Sequence, residues 1–215
     1  MPRRVRNRKF VGICATLSAV FCAGALAAGP AAVGQFDEQA DVGKVDHPGF
    51  AAFDAQKKEY RVTGSGANIW ENADAFHFVW NQLSGDVSIT ARIEFAGQGG
   101  NKHRKACLMI RQGLEADAAY ADVAVHGDGL VSLQFRKKAG EVTAEVQSPL
   151  RSPAAVRLER KGDTFTLAVS RDGKAFEKVG SATIVLSGAV YVGLAVSSHD
   201  AAVSETAVFS DVALK

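Results

Sequence analysis

A chain of 215 residues that is 47% hydrophobic, 22% charged and 8% aromatic can build one sizeable core, which excludes a disordered tail, a collagen and a disulfide miniprotein. Its net charge of +2 rests on a basic start, Arg3, Arg4, Arg6, Arg8 and Lys9. Without those residues 20 Lys and Arg face 23 Asp and Glu, a net charge of −3 that removes the compositional case for a nucleic-acid partner.

The basic start is followed by an apolar or small stretch over residues 11–26 and by Ala25-Leu26-Ala27, the small-x-small pattern of a signal-peptidase site. This predicts a signal peptide over residues 1–28, export to the periplasm or beyond, and no membrane span after cleavage. The stretch is rich in Ala, Gly, Cys and Ser and barely reaches the roughly 20 apolar residues a bilayer requires. Val20-Phe21 ahead of Cys22 puts a bulky ring where lipidation wants a small residue. Cys14 and Cys22 leave with the signal, so Cys107 stands alone and neither an internal disulfide nor a cysteine-based zinc site is expected. Residues 29–34 read as an Ala/Gly/Pro linker and residues 35–215 as a single domain.

The domain opens on Asp37, Glu38, Asp41 and Asp46, an oxygen-rich group of the kind calcium takes, although without the spacing of an EF-hand; a soluble acidic start is the simpler reading. Residues 69–80 then hold Trp70, Glu71, Asn72, Asp74, His77 and Trp80. Sugar sites need that mixture, because an aromatic face stacks on the apolar side of a pyranose ring while carboxylates and amides bind its hydroxyls. On a strand over residues 75–80, Phe76, Phe78 and Trp80 point one way, toward the core, and His77 and Val79 point the other.

Alternation then dominates. Val87, Ile89, Ala91, Ile93 and Phe95 share one face, with Ser88, Thr90, Arg92 and Glu94 opposite. Residues 97–104 form the longest irregular piece. In residues 105–111, Lys105, Cys107, Met109 and Arg111 share the face opposite Ala106, Leu108 and Ile110, which makes this a strand lining a concave surface. Its two cations suit an acidic sugar or an internal ion pair with Asp74 or Asp86. The Ala-rich residues 114–119 predict the one short helix. Period-two patterns return at Val131, Leu133 and Phe135, at Val156 and Leu158, and at Phe165, Leu167 and Val169. Asp172-Gly173 marks a hairpin tip between Thr164–Ser170 and residues 175–179, and the nearly continuous apolar run of residues 191–196 suits a strand covered on both faces. About eleven strands are expected from Glu59 onward.

Several phrases occur in a telling order: Tyr60-Arg61-Val62-Thr63-Gly64-Ser65-Gly66-Ala67-Asn68-Ile69-Trp70, Asp74-Ala75-Phe76-His77-Phe78-Val79, Gly85-Asp86, Lys105-Ala106-Cys107-Leu108-Met109-Ile110-Arg111, Ser170-Arg171-Asp172-Gly173, and Tyr191-Val192-Gly193-Leu194-Ala195-Val196-Ser197-Ser198-His199. Over residues 35–215 the chain resembles the concanavalin A-like lectin/glucanase superfamily, in a bacterial domain-of-unknown-function branch labelled after regulation of enolase. The resemblance implies an all-β jelly-roll sandwich of two antiparallel sheets in an exported protein. It also implies, for an active glucanase, paired carboxylates spaced Glu-x-Asp-x-x-Glu on one strand.

That spacing is absent. The nearest acids, Glu141 with Glu145 and Glu205 with Asp211, read as solvated charges, and no Gly-x-Ser-x-Gly elbow or paired-histidine metal motif is present. The sequence therefore points to a non-catalytic binding module for a glycan or cell-envelope polymer, with Trp70, Asp74, His77, Lys105 and Arg111 as ligand-binding candidates. A structural or protein-interaction domain is the alternative, and a glycan-active hydrolase the third reading.

Overall fold

The computed structural model describes Met1 and residues 32–215, so the rest of the segment read as a signal peptide lies outside the described residues. Among the described residues, two seven-stranded antiparallel sheets form the body of the fold. In spatial order the first holds β1 (Glu38–Val42), β6 (Phe76–Ser84), β15 (Ala189–Ser197), β8 (Lys105–Arg111), β9 (Tyr120–His126), β10 (Val131–Arg136) and β11 (Ala144–Gln147). The second holds β14 (Glu177–Thr183), β13 (Thr164–Ser170), β12 (Ala155–Lys161), β7 (Val87–Phe95), β16 (Asp200–Leu214), β3 (Glu59–Gly66) and β2 (Phe50–Asp54). A separate hairpin joins β4 (Ile69–Trp70) to β5 (Ala73–Asp74).

The alternating segments behave as their patterns require. Val87, Ile89 and Ala91 of β7, Leu158 of β12 and Phe165 and Leu167 of β13 meet Leu108, Val123, Leu133 and Leu194 of the first sheet in one core. Burying side chains of this size removes enough apolar surface to contribute roughly 1.5–3 kcal/mol each. Val33, inside the segment read as a linker, bridges Phe36, and both side chains sink into this core. β15 runs between β6 and β8, with Val192, Leu194 and Val196 toward the second sheet and Ala195 on the other side, so both faces are covered. At the β13–β14 hairpin Gly173 takes φ of 77°, and the Asp172 carboxylate accepts backbone N–H groups of Lys174 and Ala175.

Two expectations need correction. Residues 114–119 form turns and bends rather than a helix. Their carbonyls are committed elsewhere: those of Gly113 and Glu115 accept from the Arg111 guanidinium, and that of Ala116 accepts the backbone N–H of Asp74. Local Ala-rich propensity loses to these long-range bonds. Phe76, Phe78 and Trp80 are buried, but in a second apolar cluster on the outer face of the first sheet, away from the inter-sheet core. They form a ladder along β6, with ring centres 5.8 Å and 5.3 Å apart. The hairpin β4–β5 and residues 112–119 cover this face, so a second buried layer exists where a solvated surface is expected.

Candidate functional site

Outward side chains of four neighbouring strands stand in register on that outer face. Lys105 pairs with His126; Cys107 lines up with Ala124, Ser132 and Gln147; Met109 with Asp122, Gln134 and Glu145; and Arg111 with Tyr120 and Arg136. The two ends of this array differ in character.

The Arg111 end is closed. Arg136 clamps Asp74 with two 2.8 Å hydrogen bonds, Arg111 lies 3.7 Å from the same carboxylate, and none of the three side chains has any exposed surface. Arg136 also donates to the carbonyls of Trp70 and Glu71, and Thr143 donates its hydroxyl proton to that of Glu71. Glu71 holds φ of 48° at the hairpin tip. The guanidinium of Arg111 lies 5.1 Å from the Phe76 ring centre and that of Arg136 lies 5.0 Å from the Tyr120 ring centre. Burial pushes the Asp74 carboxyl up from its ordinary value, and the hydrogen bond and charge of Arg136 and the charge of Arg111 oppose the shift. This cluster pins the hairpin to the sheet.

The Lys105 end opens into a pocket of about 340 Å³, lined by Trp70 and Asn68 from the hairpin side, His103 and His199 from loops, and Lys105, His126, Gln134, Glu145 and Gln147 from the sheet. The Lys105 ammonium is 5.1 Å from the centre of the Trp70 ring and donates to Asn68 Oδ1 at 2.9 Å and the Ile69 carbonyl at 2.6 Å. Burial lowers its pKa, and the acids Asp122 and Asp74 and the Cys107 thiol oppose the shift. His126 Nδ1 lies 3.2 Å from the Leu130 carbonyl, which can only accept, so the proton sits on Nδ1 and Nε2 is an acceptor. The Gln134 amide nitrogen faces that Nε2 at 3.4 Å. The Gln134 oxygen is thereby turned away from His126, and it finds no partner in the protein although the residue is 1% exposed.

Beside Gln134, the hydroxyl of Ser132 is buried without a partner as well, and the oxygens of Asp122 have no well-aligned bond, only the weak approach of the Cys107 thiol and the Gln134 backbone N–H. Folded proteins rarely leave such atoms unpaired. Burial pushes the Asp122 carboxyl up to about 8, with the charge of Lys105 opposing, so the acid is largely protonated at neutral pH. Burial and the Lys105 charge together bring His126 down to about 4. The Cys107 thiol, fully buried beside them, is pushed well up by burial and is unreactive packing.

The structure brings two of the sequence candidates, Trp70 and Lys105, into the pocket. Asp74 and Arg111 lie together in the closed cluster. His77 faces the opposite sheet, where Nδ1 meets Asp41 at 2.8 Å and Nε2 meets Gln39 at 3.1 Å; a β-carbon on Gly49 would lie only 2.4 Å from that of His77. Burial lowers the His77 pKa, and Asp41 opposes it. Asp41 also accepts the Gly49 N–H, and among the described residues no group of three or more His, Cys, Asp or Glu converges to hold a metal ion. The acids considered for catalysis separate: Glu205 pairs with Arg104 and Asp211 with Arg92. The sequence reading leaves His126 and Gln134 out of the site and treats Glu145 as a solvated charge. The signal for His126 and Gln134 is the polar alternate face of β9 and β10, where Asp122, His126, Ser132, Gln134 and Arg136 interleave with the aliphatic core residues.

Among solved structures, the chain is similar to a Saccharomyces cerevisiae protein described as functionally unknown, with 16% identity, TM-score 0.60, and 82% of this chain and 95% of that one covered. It is similar to a lectin, UEA-II, complexed with galactose, with 9% identity, TM-score 0.51, and 82% and 96% covered. The fold is the concanavalin A-like jelly roll. A third similar structure, Bacteroides ovatus xyloglucan PUL GH43B, shares 16% identity at TM-score 0.53 over 77% of this chain, which spans about a third (34%) of that protein. Scans of protein-family models and of curated proteins give no match. Among the described residues no helix is long and apolar enough to cross a membrane.

Proposed function

We propose that this jelly-roll domain is an exported binding module that recognises a glycan or cell-envelope polymer without catalysis, through the pocket beneath Trp70. The observation that carries the reading is the pairing of a half-buried aromatic ring with a floor of buried polar groups, Gln134 foremost, whose hydrogen-bonding capacity the protein itself leaves unused. Aromatic faces and fixed amide or carboxylate groups converging in one concavity are what sugar recognition requires. Glu145 is the one carboxylate in the pocket lining among the described residues, whereas glycoside hydrolysis ordinarily works with two. A lectin complexed with galactose and a xyloglucan-locus protein among the similar folds support a carbohydrate ligand by analogy. The resemblance of the ordered phrases to the regulation-of-enolase-like branch, and the basic, apolar and small-x-small start over residues 1–28, support the same exported setting.

A glycan array probed with the purified protein, with calcium and with chelator, tests the reading. Selective, saturable binding that survives chelation and is lost in Trp70→Ala is expected. Silence under both conditions overturns the reading in favour of a structural or protein-interaction domain.

A further inference from the structure

We infer that the pocket takes the uncharged, hydroxyl-bearing end of a glycan chain, entering end-on, and rejects both internal chain segments and acidic end residues; the inference rests on the glycan-binding reading above. The first argument is the shape of the outer face. A polymer lying along the array would have to cross the Arg111 end, but there Asp74, Arg111 and Arg136 have no exposed surface, and the hairpin is bonded down through the carbonyls of Trp70 and Glu71. Asn68 and Trp70 wall the pocket on the hairpin side, and His103 and His199, with ring centres 5.3 Å apart, wall it on the loop side. Toward the sheet edge at β11 the lining is formed by Glu145 and Gln147, both exposed. A volume of about 340 Å³ is at the small end of ligand pockets, which run from roughly 300 to 1,000 Å³, and suits a sugar residue at a chain end.

The second argument is the chemistry of the lining. The cation is mostly committed: two of the three ammonium N–H groups of Lys105 go to Asn68 Oδ1 and the Ile69 carbonyl. The acceptors have capacity to spare. The Gln134 oxygen has no partner, and Glu145 receives one bond from Gln147, 2.6 Å long, to a single oxygen. His126 is neutral, with its proton directed to the Leu130 carbonyl. A ligand matching this lining brings O–H donors. A carboxylate would bring only acceptors and a charge that Glu145 repels.

Calorimetric titration of the purified protein tests this, using β-1,4-linked glucose and galactose oligosaccharides of two, four and eight residues, each also prepared with a terminal uronic acid. The expected result is one protein bound per chain at every length for the preferred neutral sugar, with affinity constant within about twofold, and at least tenfold weaker binding to the uronic ends. Glu145→Gln, at an exposed position where folding is undisturbed, should recover most of that loss, and Gln134→Ala should weaken neutral binding tenfold or more. Stoichiometry that climbs with chain length, or uronic ends bound as tightly as neutral ones, overturns the inference and leaves the glycan-binding reading standing. No binding of any neutral chain also overturns it, and a silent array would bring down the glycan-binding reading as well.

Discussion

Asp74 and Arg136, 62 residues apart in sequence, meet through two 2.8 Å hydrogen bonds with no side-chain exposure on either partner. Arg111 stands 3.7 Å from the same carboxylate, so one acid compensates two guanidiniums. Removing one member of a buried pair leaves uncompensated charge and typically costs about 3–5 kcal/mol. Asp74→Ala is therefore expected to destabilise the domain by that amount. Urea denaturation measures it, and a loss under about 1 kcal/mol would show that the cluster does not hold the hairpin. Arg111→Ala is expected to act through the same route, lowering stability directly, because its guanidinium serves the carbonyls of Gly113 and Glu115.

This cluster also marks where sequence reasoning stops. The period-two patterns of β7, β10, β12 and β13 follow from local alternation, and each places its aliphatic residues in the inter-sheet core. The face carrying Lys105, Cys107, Met109 and Arg111 was equally legible. What alternation cannot convey is which segment returns to cover an outward face. Phe76, Phe78 and Trp80 have the pattern of core residues, and they are buried, yet only the docking of β4–β5 makes their side of the sheet an interior. Likewise His103, His126 and His199 are scattered in sequence and meet in one pocket because β8, β9 and the β15–β16 turn end side by side.

Asp122 imposes a pH-dependent cost on the fold. Its folded pKa, raised to about 8, exceeds the unfolded value of 3.8, so the native state holds more protons than the unfolded state between these values. Stability from this group is fully present below pH 3.8 and is lost as pH rises toward 8. Asp122→Asn keeps the shape and removes the ionisation, so it should stabilise the domain at pH 7 by on the order of 3 kcal/mol and have little effect near pH 4. Denaturation curves of both proteins at the two pH values decide it. An equal effect at both would mean that Asp122 does not titrate in the folded state as its burial requires.

His126 works in the opposite sense. Its folded pKa of about 4 lies below the unfolded 6.5, so the unfolded state takes up the proton first as pH falls. Its contribution is present above pH 6.5 and disappears as pH falls toward 4, a change on the order of 3 kcal/mol. The bulk stability curve mixes this with the opposing trend of Asp122, so the useful quantity is the difference between the native protein and His126→Gln. That difference should shift by at least about 2 kcal/mol in favour of the variant between pH 7 and pH 4.5. A difference constant over that range would place the imidazole in a more solvated setting than its contacts with Leu130 and Gln134 indicate.

Trp70 and Trp80 are the two tryptophans of the chain, and they separate binding from folding. Trp80 is 3% exposed and packs with Phe78 and Tyr191, so Trp80→Ala should cost about 3–5 kcal/mol of stability. Trp70 is half-buried and lines the pocket, while the bond from Arg136 goes to its backbone carbonyl and survives any side-chain change. Trp70→Ala should therefore lower affinity for the array-selected glycan at least tenfold, equivalent to about 1.4 kcal/mol, while changing stability by about 1 kcal/mol or less. Trp70→Phe, which keeps a stacking face, should retain most of the affinity. Intrinsic fluorescence adds an independent reading: ligand should shift the emission of the native protein and of Trp80→Phe but leave Trp70→Phe unchanged. A ligand-induced shift that persists in Trp70→Phe would move the binding site away from the hairpin.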